Sequence, residues 1–179
     1  MDITAPPLRR APAGFTLIEA LVVVAIMGMF LAIGIPNVIN VMAVRNLENK
    51  TREVQTFLQM TKLQAVNSKV LHRVHFYHPN GQAYWAYEME RLQSDGTWVR
   101  VGRPAKTIPT LFNVTFTLPL ENGDPVAVFS PVGAMANFAP NQNTIVLQSP
   151  KLDRPGQDDE RVLSLFMGGS IQYDKRKSS

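Results

Sequence analysis

The chain changes its hydrophobic pattern twice. From Ala20 to Val44 it runs without a single Lys, Arg, Asp or Glu, and Val, Ile, Leu and Met dominate. A helix of this length measures about 37 Å, enough for a hydrocarbon core of about 30 Å. After Val44 the pattern becomes amphipathic. Leu47, Val54, Phe57, Leu58, Thr61 and Ala65 recur on one face at helical spacing, while Glu48, Lys50, Arg52, Glu53, Lys62 and Lys69 fall mostly elsewhere. No proline or glycine intervenes between Asn37 and Lys69, so one helix from Phe15 to about Lys69 is expected, its first half in lipid and its second half docked on a domain. Gly28, Gly34 and Pro36 interrupt the apolar half. Proline deletes a backbone hydrogen bond there, so a kink is expected near Ile35, with Gly34 and Pro36 as its residues.

From Val70 the period becomes alternating, and turn residues appear every ten or so positions. The pattern predicts strands near 73–77, 82–92, 97–101, 112–118, 126–130, 144–148, 161–166 and 170–174. The separators are Pro79-Asn80-Gly81, Ser94-Asp95-Gly96, Glu121 to Asp124, and Gly168-Gly169. The fold class is α+β: a long amino-terminal helix packed on a small, mostly antiparallel β head. Four segments follow, 1–14 as a leader, 15–44 as the apolar helix, 45–70 as its amphipathic half and 71–179 as the head. The loops 131–143 and 149–160 are the expected contact surfaces, because recognition usually sits on loops carried by a rigid sheet.

Composition adds few constraints. The 179 residues carry a formal charge of +4 and no cysteine, so no disulfide staples the head even in an oxidising compartment. The segment before Gly14 holds Asp2, Arg9, Arg10 and three prolines, and reads as a short basic arm rather than a helix. A secretory signal places its small-residue cleavage site after the apolar core. Here the small residue precedes it, so cleavage would leave the hydrophobic segment on the protein.

Glu19 is the costly residue. A carboxylate carried into hydrocarbon costs up to about 2.5–3.5 kcal/mol on insertion scales, and a partner charge is needed to offset it. A plain single-span anchor accounts for the length of the segment and leaves Glu19 without a purpose.

Gly14-Phe15-Thr16-Leu17-Ile18-Glu19, the apolar run and Pro36 together resemble the class III signal of the type IV pilin and type II secretion pseudopilin superfamily. The resemblance implies that prepilin peptidase cuts between Gly14 and Phe15 and methylates the new amine on Phe15. Glu19 then becomes the assembly charge, pairing with the freed amine of a neighbouring subunit. It further implies insertion in the inner membrane with a periplasmic head, and partnership with other pilin or pseudopilin subunits and an inner-membrane assembly platform. The helix Phe57 to Lys69, the strand after it, Val128 to Gly133, and the closing pair around Gly168 and Gly169 look like minor pseudopilin H (GspH) and the FimT-like minor pilins. That family's head is two small β-sheets against the helix. Some of its members take up DNA through an arginine-bearing motif after a glycine. Here Gly169 is followed by Ser170, Ile171 and Gln172, which argues against DNA as a partner despite the basic tail Lys175-Arg176-Lys177.

Other chemistry is sparse. His72, His75 and His78 fall three apart, which on a strand sends alternate ones to opposite faces, and no Cys or acidic residue sits beside them in sequence. No metal site is expected there. Asp153, Asp158, Asp159 and Glu160 lack the ligand spacing of a calcium loop. No phosphate loop, nucleophile elbow or catalytic His–carboxylate pairing is present, so neither an enzyme nor a cofactor is expected. A secretion pseudopilin, a DNA-binding minor pilin for uptake and a plain membrane-anchored binding head remain the competing classes.

Overall fold

In the computed structural model the described residues are 14–102, 104–153 and 156–178, with the side chains of 33–37 excepted. The leader before Gly14 lies outside them, as do the side chains of Gly34 and Pro36, to which the kink was assigned.

Helix α1 runs from Leu17 to Ser68. It stops where Lys69 takes the left-handed conformation, φ 59°, that ends many helices. The chain divides into two units, 1–39 and 40–179, so the head unit takes in the helix from Asn40 onward, five residues earlier than the sequence boundary at 45. Ala43 and Val44 pack on the head core, which explains the earlier start.

Among the described residues ten strands follow: β1 His72–Tyr77, β2 Trp85–Leu92, β3 Trp98–Arg100, β4 Lys106–Ile108, β5 Asn113–Thr117, β6 Leu120–Glu121, β7 Asp124–Phe129, β8 Thr144–Gln148, β9 Glu160–Leu165 and β10 Ile171–Arg176. All the pairings are antiparallel. One sheet has the order β3-β2-β1-β7-β6 with β4 also on β2, and the other the order β10-β9-β8-β5. The α+β class and the two-sheet head expected from the sequence are both present. β4 and β6, of three and two residues, were missed, being too short to show alternation.

The amphipathic stripe is the core of the head. Leu47, Val54, Leu58, Thr61 and Ala65 are fully buried, and Phe57 nearly so. Phe76 of β1 and Tyr87 of β2 face them, with the Phe57 and Tyr87 rings edge to face at 5.0 Å. Phe116 of β5 sits 4.7 Å from both Phe76 and Trp85, so an aromatic cluster joins the second sheet to the first.

The loop 131–143 is largely committed to the fold. Asn137 accepts a hydrogen bond from the Val128 N–H at 2.9 Å and donates one to the Val126 carbonyl at 3.0 Å, so its amide stands in for a strand along β7. Met135 is buried and bridges Phe129. The loop 149–160 is anchored likewise through the buried Leu152 and Asp159. Asn137, Met135, Leu152 and Asp159 thus close a sheet edge or fill the core, while Val132 stays 85% exposed on the expected contact surface.

Candidate functional site

The amino-terminal end of α1 is built by local chemistry. Thr16 sits just before the helix, and its hydroxyl accepts a hydrogen bond from the Glu19 N–H at 3.3 Å. This is half of a capping box, Thr-x-x-Glu, with a carboxylate at the positive end of the helix dipole. Glu19 thus has a second use that the sequence reading missed, although Thr16-Leu17-Ile18-Glu19 spells the box out. Gly14 and Phe15 precede the helix, outside regular structure and exposed, Phe15 being 77% exposed. No atom lies within 4 Å of where a Cβ on Gly14 would stand, so the Gly14–Phe15 peptide bond is open to an approaching enzyme.

Beyond this cap the helix is bare. Leu17, Ile18, Leu21, Met27, Met29 and Phe30 are each more than half exposed, as are Val38, Ile39 and Met42 after the midpoint. A helix apolar on every side normally lies inside a core or a bilayer. Each large side chain left in water forfeits about 1.5–3 kcal/mol of burial, so the whole face demands cover from outside the chain. Among the described residues no helix is long and apolar enough to cross a membrane.

The head carries a second cluster of chemistry on the face of the first sheet turned away from α1. The register places His75 opposite Glu88, with Val126 on its other side, and Arg73 opposite Glu90. His75 Nε2 is 3.0 Å from Asp124 Oδ2, and its Nδ1 is 3.5 Å from Glu90 Oε1. Arg73 is clamped by Glu90 and Glu121, each at 2.5 Å, and lies 4.3 Å over the Trp98 ring. Tyr77 donates to Glu88 at 3.3 Å, and Arg100 stands 3.5 Å from the same oxygen. The sequence reading that no acidic residue sits beside the histidines is corrected here: the acids arrive from neighbouring strands.

The cluster polarises its own members. The Glu90 carboxylate, off the line of a true hydrogen bond, is the main influence raising the His75 pKa; burial opposes it and Asp124 adds to it. Burial works against ionisation of Glu90, yet His75 and Arg73 outweigh it and hold its carboxyl below the usual value. His72 faces the core side instead, its Nδ1 on the Val70 carbonyl at 2.9 Å, and His78 stacks on Trp85 at 3.8 Å. The three histidines do not converge.

The remaining sequence candidates are accounted for locally. Asp159 accepts hydrogen bonds from Gln148 and from the backbone and hydroxyl of Ser178, all at 2.8 Å. Burial opposes its charge, but these donors prevail and bring its pKa to about 2. Glu160 pairs with Arg176 at 3.0 Å. Asp153, Asp158, Asp159 and Glu160 form no shared ligand set among the described residues. Lys175 of the basic tail is bonded to Glu48, so two of its cations are already matched by acids. A cleft of about 600 Å³ between α1 and the β2–β4 edge is lined by Phe57, Met60, Leu63, Met89 and Val101, with Lys106 held by Glu53 at 2.7 Å.

The family model of the prokaryotic N-terminal methylation motif matches residues 9–35. No curated protein and no solved structure matches the chain. The motif supports a place in the type IV pilin-like superfamily and indicates a prepilin peptidase substrate with a membrane-anchored amino terminus.

Proposed function

We propose that this chain is a non-enzymatic structural subunit, a minor pseudopilin or minor pilin of the H and FimT-like type, built into a type II secretion pseudopilus or a type IV pilus. The observation that carries the reading is the conjunction at one helix end of the methylation motif over 9–35 with an apolar surface that its own chain leaves uncovered. Prepilin peptidase cuts the exposed Gly14–Phe15 bond and methylates Phe15. The subunit waits in the inner membrane, its head in the periplasm, until an assembly platform passes its helix into the fibre. There, neighbouring helices replace lipid around Leu21, Met27 and Phe30. Glu19 selects the register, because a carboxylate moved into an apolar fibre core is tolerated only opposite a positive charge, here the freed amine of another subunit. The head adds no catalysis and presents a surface to neighbours or cargo.

The test is Glu19→Lys in a host carrying the assembly machinery. Insertion and cleavage are expected to persist while incorporation into sheared fibres is lost. Wild-type levels of incorporation with the charge reversed would contradict the pairing.

A further inference from the structure

The cluster on the outer face of the first sheet has features that an ordinary solvated ion-pair network does not need. His75 Nε2 is hydrogen-bonded to Asp124 at 3.0 Å; in the neutral ring the proton this bond needs sits on Nε2, and the Nδ1 lone pair is then available. That Nδ1 is buried and without a hydrogen-bond partner. Carboxylate–histidine pairs of this kind are how proteins orient an imidazole toward a metal ion. Two further carboxylates present oxygens to the same spot, and one donor atom each from His75, Glu88 and Glu90 lie within 4.8 Å of one another. Both acids are held in place, Glu90 Oε2 by Arg73 at 2.5 Å and Glu88 Oε2 by Tyr77 at 3.3 Å and Arg100 at 3.5 Å.

Charge points the same way. Glu88, Glu90, Glu121 and Asp124 bring four negative charges, and Arg73 and Arg100 two positive ones. With His75 neutral the excess is two negative charges, the amount a divalent cation neutralises. A proton on His75 supplies half of it. One imidazole nitrogen with carboxylate oxygens suits Zn²⁺ and its transition-metal neighbours better than Ca²⁺ or Mg²⁺, which prefer all-oxygen shells. Bonds of about 2.0–2.1 Å would place donors about 3.4 Å apart at tetrahedral angles, so side-chain shifts of about 1 Å close the set on one ion.

We propose that the head binds one divalent transition-metal ion, Zn²⁺ in class, through His75 Nδ1 and one oxygen each of Glu88 and Glu90, with Asp124 as the positioning residue behind the imidazole and water completing the shell. The ion ties β1 to β2, and through Asp124 to β7, in a head that has no disulfide. Bound metal takes the place of the His75 proton, so affinity falls as the pH is lowered.

The full-length chain in detergent, stripped with chelator, is titrated with ZnCl₂ by calorimetry and with CoCl₂ by visible absorption. The expected result is one Zn²⁺ per chain, a Co²⁺ ligand-field band of low coordination number, and release as His75 is protonated. His75→Gln and Glu88→Gln should each abolish the band. Asp124→Asn should retain the stoichiometry with affinity lower by about 10- to 100-fold, the usual cost of losing an orienting carboxylate. Far-UV circular dichroism confirms that each variant is folded, and Glu88→Gln, on a partly buried edge of the cluster, serves if His75→Gln is not. Absence of stoichiometric binding overturns the proposal, as does Zn²⁺ binding that survives unchanged in a folded His75→Gln or Glu88→Gln chain.

Discussion

The carbonyl oxygen of Gly133 lies 1.9 Å from the point where a Cβ on Gly169 would stand, so the β9–β10 turn and the loop after β7 meet backbone to backbone. Lys62 of α1 donates to the Gly169 carbonyl at 3.0 Å, closing the junction against the helix. Gly169 also has a φ of 73°, a region costly for any side chain. Gly169→Ala must therefore displace backbone, and a loss of more than about 2 kcal/mol is expected. Gly168→Ala, whose Cβ meets nothing within 4 Å, is the control and should change stability by less than about 1 kcal/mol. Thermal denaturation of the two variants checks this directly.

Asn137 makes a sharper prediction about the sheet. Its two hydrogen bonds to β7 satisfy backbone groups that would otherwise be left on an open strand. Asn137→Ala should cost about 1–3 kcal/mol, and Asn137→Asp nearly as much, since a carboxylate accepts from Val128 but cannot donate to Val126. Hydrogen exchange at the Val128 amide should rise in Asn137→Ala and stay near the wild-type rate in Asn137→Asp, which keeps that acceptor. Unchanged protection in Asn137→Ala would mean that the loop does not seal the strand.

The His75 cluster sets a pH window for metal-free protein. The His75 pKa is raised above its ordinary 6.5, so its contribution is fully present below about pH 6.5 and is lost as pH rises through the folded value. The Glu90 pKa is lowered below its ordinary 4.5, so its contribution is present above that value and is lost as pH falls through the folded one. Between 4.5 and 6.5 both act together. With chelator present, the melting temperature of wild type minus that of His75→Gln should be largest in this interval and shrink in mildly alkaline buffer. A difference independent of pH would contradict the ion pairing.

Asp159 responds at lower pH. Its pKa near 2 means that its hydrogen bonds to Gln148 and Ser178 persist through mild acid and fail only as pH approaches that value. Asp159→Ala should cost about 1.5–3 kcal/mol at neutral pH, the usual range for hydrogen bonds to a charged group, and release the carboxyl-terminal residues to proteolysis. Limited proteolysis at Lys175 to Lys177 reads the second effect.

The parts legible in the sequence were those set by local periodicity. Leu47, Leu58 and Ala65 are buried because a 3.6-residue repeat fixes a helix face wherever the helix docks, and the eight alternating segments became strands for the same reason. What the sequence withheld was register. His75 meets Glu88, Glu90 and Asp124 only because β1 lies between β2 and β7, an arrangement no spacing within one strand discloses. Asn137 was hidden similarly, since an amide that substitutes for a strand looks like any loop residue. At the helix start, Thr16 and Glu19 stand at capping-box spacing, a signal as local as the helix period itself.

A chain cut after Gly14 and carried into a fibre by its bare helix leaves a defined mark on its amino terminus. Intact-mass and amino-terminal tandem mass spectrometry of the full-length protein, expressed with a prepilin peptidase, should find a chain that begins at Phe15 and bears one methyl group on that amine, with processing blocked in Gly14→Glu. A membrane-bound chain that still begins at Met1 beside an active peptidase, or a Gly14→Glu chain cut as readily as wild type, would contradict it.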